Sequence, residues 1–105
     1  MKENNSTSAE SAVMLIVKFK TSLSEEELLR RAKAREPKFK AIPGLMQKYY
    51  IKTGTEGEYG GVYIWDSVES LQVYRESDLA ASIPEAYEAI SAPSIERHEI
   101  LFPLR

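Results

Sequence analysis

The first patterned stretch, Val13-Met14-Leu15-Ile16-Val17-Lys18-Phe19, is β-branched and aromatic, and apolar on both faces until Lys18 interrupts the even-numbered one. It predicts a strand covered on both sides. Ser24 then offers a capping hydroxyl with Glu27 as its capping-box partner, and Glu25 and Glu26 suit the positive first turn of a helix. Leu28, Leu29 and Ala32 form the inward stripe of that helix. Pro37 ends or kinks it, because the ring removes an amide donor and crowds the preceding turn. A further turn over residues 38–42 carries Phe39 inward, and Pro43-Gly44 closes the segment.

Residues 45–52 alternate Leu45, Gln47, Tyr49 and Ile51 against Met46, Lys48, Tyr50 and Lys52, which predicts a half-polar strand with aromatics on both faces. The glycine-punctuated stretch 53–58 reads as a hairpin loop, and residues 59–65 return as a third strand antiparallel to the second. Within it Gly60-Gly61 marks a bulge or the close approach of another group. Asp66 or Ser67 caps a second helix running to about Ser77, with Val68, Leu71 and Tyr74 on one side. Residues 79–90 suggest short helical turns, with Pro84 in the first turn of the second piece, and after Pro93 a last strand spans Ile95 to Phe102. The order is β-α-β-β-α-β, a ferredoxin-like α+β arrangement with an antiparallel sheet.

The 105 residues are 43% hydrophobic and 29% charged, which suits one globular domain over residues 12–105. Residues 1–11, rich in Asn, Ser and Glu, are expected to form a disordered tail. A domain this small leaves much apolar surface uncovered, so self-association is expected. The 14 basic and 16 acidic residues are scattered, without the one-sided basic density that a nucleic-acid partner demands. Cysteine is absent, which excludes disulfides, thiolate metal sites and cysteine nucleophiles and suits a reducing cytoplasm. The run Val13 to Val17 is too short for a bilayer, and no apolar signal segment precedes it, so neither export nor a membrane partner is expected.

Ile42-Pro43-Gly44-Leu45, then Lys48-Tyr49-Tyr50, then Gly60-Gly61-Val62-Tyr63-Ile64-Trp65 with Ser67, resemble the signature stretch of the YdhR-like monooxygenase family. The likeness covers about half the chain. It implies a dimeric α/β barrel, a homodimer in which two four-stranded sheets join with the helices outside. It also implies oxygenation of small organic molecules without flavin or metal, hence no cofactor. A related branch of the superfamily degrades haem with an Asn, Trp and His set. Here the corresponding helical positions hold Tyr74 and Pro84 and the first strand has no Asn, a departure from that set.

With one histidine and no G-x-G-x-x-G, the chain offers no phosphate loop, zinc-type cluster or Ser/His/Asp arrangement. It offers instead aromatics on or beside strands, Tyr49, Tyr50, Tyr59, Tyr63 and Trp65, near Lys18, Lys48 and His98. Alternation sets Gly61, Tyr63 and Trp65 on one face of the third strand, expected toward the barrel interior, and Val62 and Ile64 on the other, under the helices. Tyr63 and Trp65 either hold a substrate or fill the core or dimer seam. Lys18 and Lys48 each read as a desolvated base or anion-holding group, or as a side chain reaching back to water. His98 alone has an unperturbed pKa near neutrality and is the first choice for proton transfer, or else an ordinary sheet residue. Three functions follow: a monooxygenase acting with O₂ on a phenol or quinol-like compound sandwiched by Trp65 and Tyr63, with Gly61, Tyr49 and Tyr50 in the pocket; a dimer that binds a small molecule without converting it; and a haem-binding protein with His98 as ligand.

Overall fold

Strict alternation along β1 (Val13–Lys20) turns Val13, Leu15, Val17 and Phe19 inward, none more than 9% exposed, in the computed structural model, which describes residues 12–105. The expected tail over residues 1–11 lies outside the described residues. β1 pairs antiparallel with β3 (Glu58–Trp65) on one side and with β4 (Ser94–Glu99) on the other, and β3 pairs antiparallel with β2 (Leu45–Lys52). The four-stranded order β2-β3-β1-β4 is that of a ferredoxin-like α+β fold. Between β1 and β2 lie α1 (Glu25–Ala34) and α2 (Glu36–Lys40); between β3 and β4 lie α3 (Val68–Arg75), α4 (Asp78–Ala81) and α5 (Ile83–Ala86).

The helix limits follow from their caps. Ser24 Oγ accepts the Glu27 amide at 3.1 Å to start α1, and Ser67 Oγ accepts that of Ser70 at 3.1 Å to start α3. α1 stops at Ala34, and Pro37 falls in the first turn of α2, where a missing amide hydrogen costs no helical bond. α3 ends short of the expected Ser77, because that residue caps α4 instead, accepting the Ala80 amide at 3.2 Å.

The helices cover a single face of the sheet. Leu28 and Ala32 of α1, Phe39 of α2, Leu71 and Tyr74 of α3, Ile83 of α5 and Tyr87 pack on Val13, Leu15, Val17, Phe19, Tyr63 and Trp65. This reverses the expected orientation of β3: Tyr63 and Trp65, 2% and 0% exposed, lie under the helices, while Val62 and Ile64 look out from the uncovered face. β1 is apolar on both faces, so its sequence carries no polarity signal for choosing between them, and the large rings fill the deeper helix-side space. Two further expectations change with packing. Leu29 and Val68, assigned to buried stripes, are 40% and 46% exposed, since each lies at the margin of its helix's contact face.

The pairing register decides the rest. A bulge falls in β2 between Leu45 and Gln47, which puts Leu45 on the same face as Lys48, Tyr50 and Lys52. Through Gly60 and Gly61 the ladder is unbroken, so no bulge sits there; a Cβ on Gly60 would run into the Val17 carbonyl oxygen, and this close approach of β1 is what requires glycine. β4 ends at Glu99 and not at Phe102, because its partner β1 begins opposite at Val13, and one last bond, Ile100 amide to Ala12 carbonyl at 3.0 Å, closes the ladder. Among the described residues no helix is long and apolar enough to cross a membrane.

Two alanine substitutions test this seam. Gly60→Ala forces β1 and β3 apart and is expected to lower unfolding stability by about 1–3 kcal/mol or more. Gly54→Ala, where the added carbon meets no atom within 4 Å, leaves stability within about 0.5 kcal/mol in the same urea titrations.

Candidate functional site

Between α1 and the helix-side face of the sheet lies a cavity of about 150 Å³. Its floor is Val17 of β1 with Gly60 and Tyr63 of β3; Leu28, Leu29 and Ala32 of α1 form one wall; Phe19, Ile83 and Tyr87 close one end, and Lys48 and Tyr50 enter from β2. Phe19 and Tyr87 stack at 5.2 Å between centroids, which braces that end. At the rim Lys52 Nζ meets Glu25 Oε1 at 3.0 Å, an exposed ion pair that ties β2 to the first turn of α1. An apolar hollow of about 150 Å³ is large enough for a single benzene-sized ring.

Lys48 is the singular group here. Its Nζ lies 3.4 Å from the centroid of Phe39, 4.4 Å from that of Tyr50 and 4.6 Å from that of Tyr63. No carboxylate pairs with it among the described residues. Gly61 creates its path: a Cβ there would sit 3.2 Å from Lys48 Cε and 3.1 Å from the Tyr63 ring. Loss of hydration, and secondarily the Arg35 guanidinium, lowers the ammonium pKa to about 7. The ring faces attract a cation and return part of the lost hydration. Burial moves the phenols the other way, Tyr50 to about 12 and Tyr63 well above its usual value, so both stay protonated donors at neutral pH. The site therefore combines an amine able to accept a proton with phenols able to donate hydrogen bonds.

The sequence candidates divide between the two faces of the sheet. Lys48, Tyr50 and Tyr63 line the cavity, and Gly61 lies beside them. Trp65 shares their face but does not line the cavity: it is fully buried, packs on Tyr74 at 5.1 Å, and its indole N–H finds no acceptor among the described residues. Its ring and that of Tyr63 are nearly parallel with centroids 6.2 Å apart. A third ring between them would need about 7 Å, two carbon contacts of about 3.5 Å each, so the expected sandwich does not form.

Lys18, Tyr49 and His98 belong to the opposite, uncovered face, because their register partners Gly60, Val62 and Met14 alternate out of the helix side. There Glu96 joins two of them, with His98 Nε2 at 3.0 Å and Lys18 Nζ at 3.8 Å, and the His98 contact, then the lysine charge, lowers the Glu96 pKa. Sequence reasoning missed Leu29 as a cavity wall, and it missed Tyr87 and Arg35 altogether. Arg35 donates through Nη2 to Ser82 Oγ at 2.9 Å and lies over the Phe39 and Tyr87 rings. Long-range packing brings these residues in, and no local pattern announces it.

Residues 14–98 match the family described as "Putative mono-oxygenase ydhR". No curated protein sequence matches the chain significantly. Among solved structures, a protein of unknown function from Nitrosomonas europaea is 20% identical, with 90% of this chain and 94% of that one aligned at a TM-score of 0.73. SnoaB, a cofactor-independent oxygenase from Streptomyces nogalater, is 13% identical over 90% of this chain and 97% of its own, at a TM-score of 0.70. A heme-degrading protein from Mycobacterium tuberculosis is 20% identical over 90% and 97%, at a TM-score of 0.66. At these identities the likeness is one of fold.

The lowered pKa of Lys48 has a thermodynamic signature. Between about 7 and the ordinary 10.5 the unfolded chain holds a proton that the folded one has lost, so this residue makes stability rise with pH across that window. Lys48→Met removes the dependence: thermal melts are expected to show the variant gaining most over the parent at and below pH 7, the gain shrinking toward pH 10.5.

Proposed function

The chain belongs to the ydhR mono-oxygenase family, and from that premise we propose that it is a cofactor-independent monooxygenase acting on a single-ring phenol or quinol-like compound in the cavity beneath α1. The observation that carries this reading is the Lys48 amine, held without a carboxylate partner among the described residues over three aromatic rings beside a ring-sized apolar hollow. A phenol entering there gives its proton to the amine. The ammonium so formed stays beside the phenolate and compensates its charge, while Tyr50 and Tyr63 donate hydrogen bonds. An electron-rich phenolate reduces O₂ itself: a phenol with an unsubstituted para carbon and one O₂ yield a quinone and one water, so no flavin or metal enters the balance. The protein's part is orientation and exclusion of water. SnoaB, which shares the fold, is a cofactor-independent oxygenase, and this supports the assignment.

The uncovered sheet face supports the homodimer. Met14, Ile16, Val62 and Ile64 are only half-buried on it, and Tyr49 is 56% exposed. Beyond β4, Leu101, Phe102 and Leu104 are each at least 77% exposed. A second copy placed face to face covers this apolar surface, and the Lys18, Glu96 and His98 group then borders the seam, apart from the cavity. The cysteine-free composition suits work in the cytoplasm. A binding protein that holds the same ring without converting it is the alternative, favoured by the largely apolar lining.

An oxygen electrode separates the two. With a small phenol bearing an unsubstituted para carbon as substrate, the parent is expected to consume one O₂ per quinone formed, at a rate rising through pH 7 as Lys48 loses its proton. Lys48→Met is expected to lower the rate by about 10²–10⁴, and Trp65→Phe to leave it within about threefold, as befits a residue outside the cavity. Saturable binding without O₂ consumption establishes the carrier. Unchanged turnover in Lys48→Met overturns the assignment of the amine.

A further inference from the structure

We propose that Lys48 is also a carbonyl-trapping amine, which condenses with a single-ring aromatic aldehyde in the cavity to form an imine. The inference shares the cavity with the oxygenase reading but needs neither O₂ nor an oxidisable substrate.

Four features of the site carry it. First, the amine lies over Phe39, Tyr50 and Tyr63 with no carboxylate pairing among the described residues, so no ion pair has to be broken to free its lone pair. Secondly, Lys48 and Tyr50 line both the cavity under α1 and a neighbouring hollow formed with Glu36, Phe39 and Met46, so the Lys48 side chain stands between two spaces and can be approached from either. Thirdly, Gly61 lets the Lys48 side chain cross β3 close against the Tyr63 ring, since a Cβ there would sit 3.2 Å from Lys48 Cε, and this holds the amine at the cavity. Fourthly, the surroundings are largely apolar and aromatic: a lining poor in water favours condensation over hydrolysis, and the rings give a flat aldehyde surfaces on which to stack. The depressed basicity of the amine means that its nucleophilic form is present at neutral pH, unlike that of solvated lysines.

The condensation balances without a co-reactant. The Lys48 nitrogen bonds to the aldehyde carbon, and one nitrogen proton passes to the oxygen to give the carbinolamine. The C–O bond then breaks, and hydroxide leaves as water with a proton from a donor such as Tyr50, whose phenol burial keeps protonated. The donor recovers its proton from the iminium nitrogen. Net, one amine and one aldehyde give one imine and one water.

The test is reductive trapping. The full chain is incubated anaerobically at pH 7 with 4-hydroxybenzaldehyde and cyanoborohydride, digested, and its lysine peptides quantified by mass spectrometry. Lys48 is expected to be alkylated at least tenfold faster than Lys18, Lys20 or Lys52, to be protected by excess phenol, and to lose its adduct in Lys48→Arg while the other lysines keep their rates. Labelling spread evenly over the exposed lysines, or Lys48 slower than they are, overturns the proposal. Because oxygen is excluded, trapping at Lys48 stands even where O₂ consumption fails, and its absence leaves the oxygenase measurement untouched.

Discussion

The antiparallel register of β1 against β3 is the constraint on which the other features depend. Setting Val13 opposite Trp65, Leu15 opposite Tyr63 and Val17 opposite Gly61 gathers aliphatic and aromatic side chains on one face, and the helices must cover that face to remove it from water. Tyr63 then stands at the centre of a ring cluster, 6.3 Å from Phe39, 5.4 Å from Tyr74 and 6.2 Å from Trp65. The Tyr74 hydroxyl donates to that of Tyr63 at 3.3 Å, which gives each buried phenol a partner. Where this packing is dense the side chains are structural. Where glycine replaces a side chain in the same face, at Gly61, room is left for the lysine.

The two faces of the sheet consequently have different chemistry. The helix side is largely apolar and aromatic, and the Lys48 ammonium there, with the Arg35 guanidinium near it, is disfavoured as a charge. The other side is aliphatic in its middle, bordered by the Lys18, Glu96 and His98 group, where one carboxylate reaches both the lysine and the imidazole and all three are partly open to water. A charge that is costly on one side is cheap on the other. The ionisable groups of the protein cannot be ranked for catalysis by residue type alone, since Lys18 on β1 and Lys48 on β2 experience opposite environments.

That contrast also explains how far the sequence could be read. The strands were legible from alternation, and the starts of α1 and α3 from Ser24 and Ser67 as caps, since these are local signals; the ends of α3 and β4 were not, because Ser77 caps a further helix and β4 stops where its partner β1 begins. The choice of face was not: β1 is apolar on both sides, and only tertiary packing decides which side receives helices. The site was legible in part for the same reason. Lys48 and Tyr50 stand two apart on one strand, and so their sharing a face followed from the sequence. Arg35, Phe39 and Tyr87 meet them across many intervening residues, and Lys18 and His98 were singled out for their chemistry before their face was known.

Leu29 sits on the wall of the cavity yet is 40% exposed, at the edge of α1 and outside the close-packed interior. Selection can therefore exchange it with little penalty to folding, while each exchange reshapes the space presented to an incoming molecule. A scaffold with such a position can diversify its ligand preferences gradually, through a helix residue that the core does not need, while the lysine and its surrounding rings stay fixed.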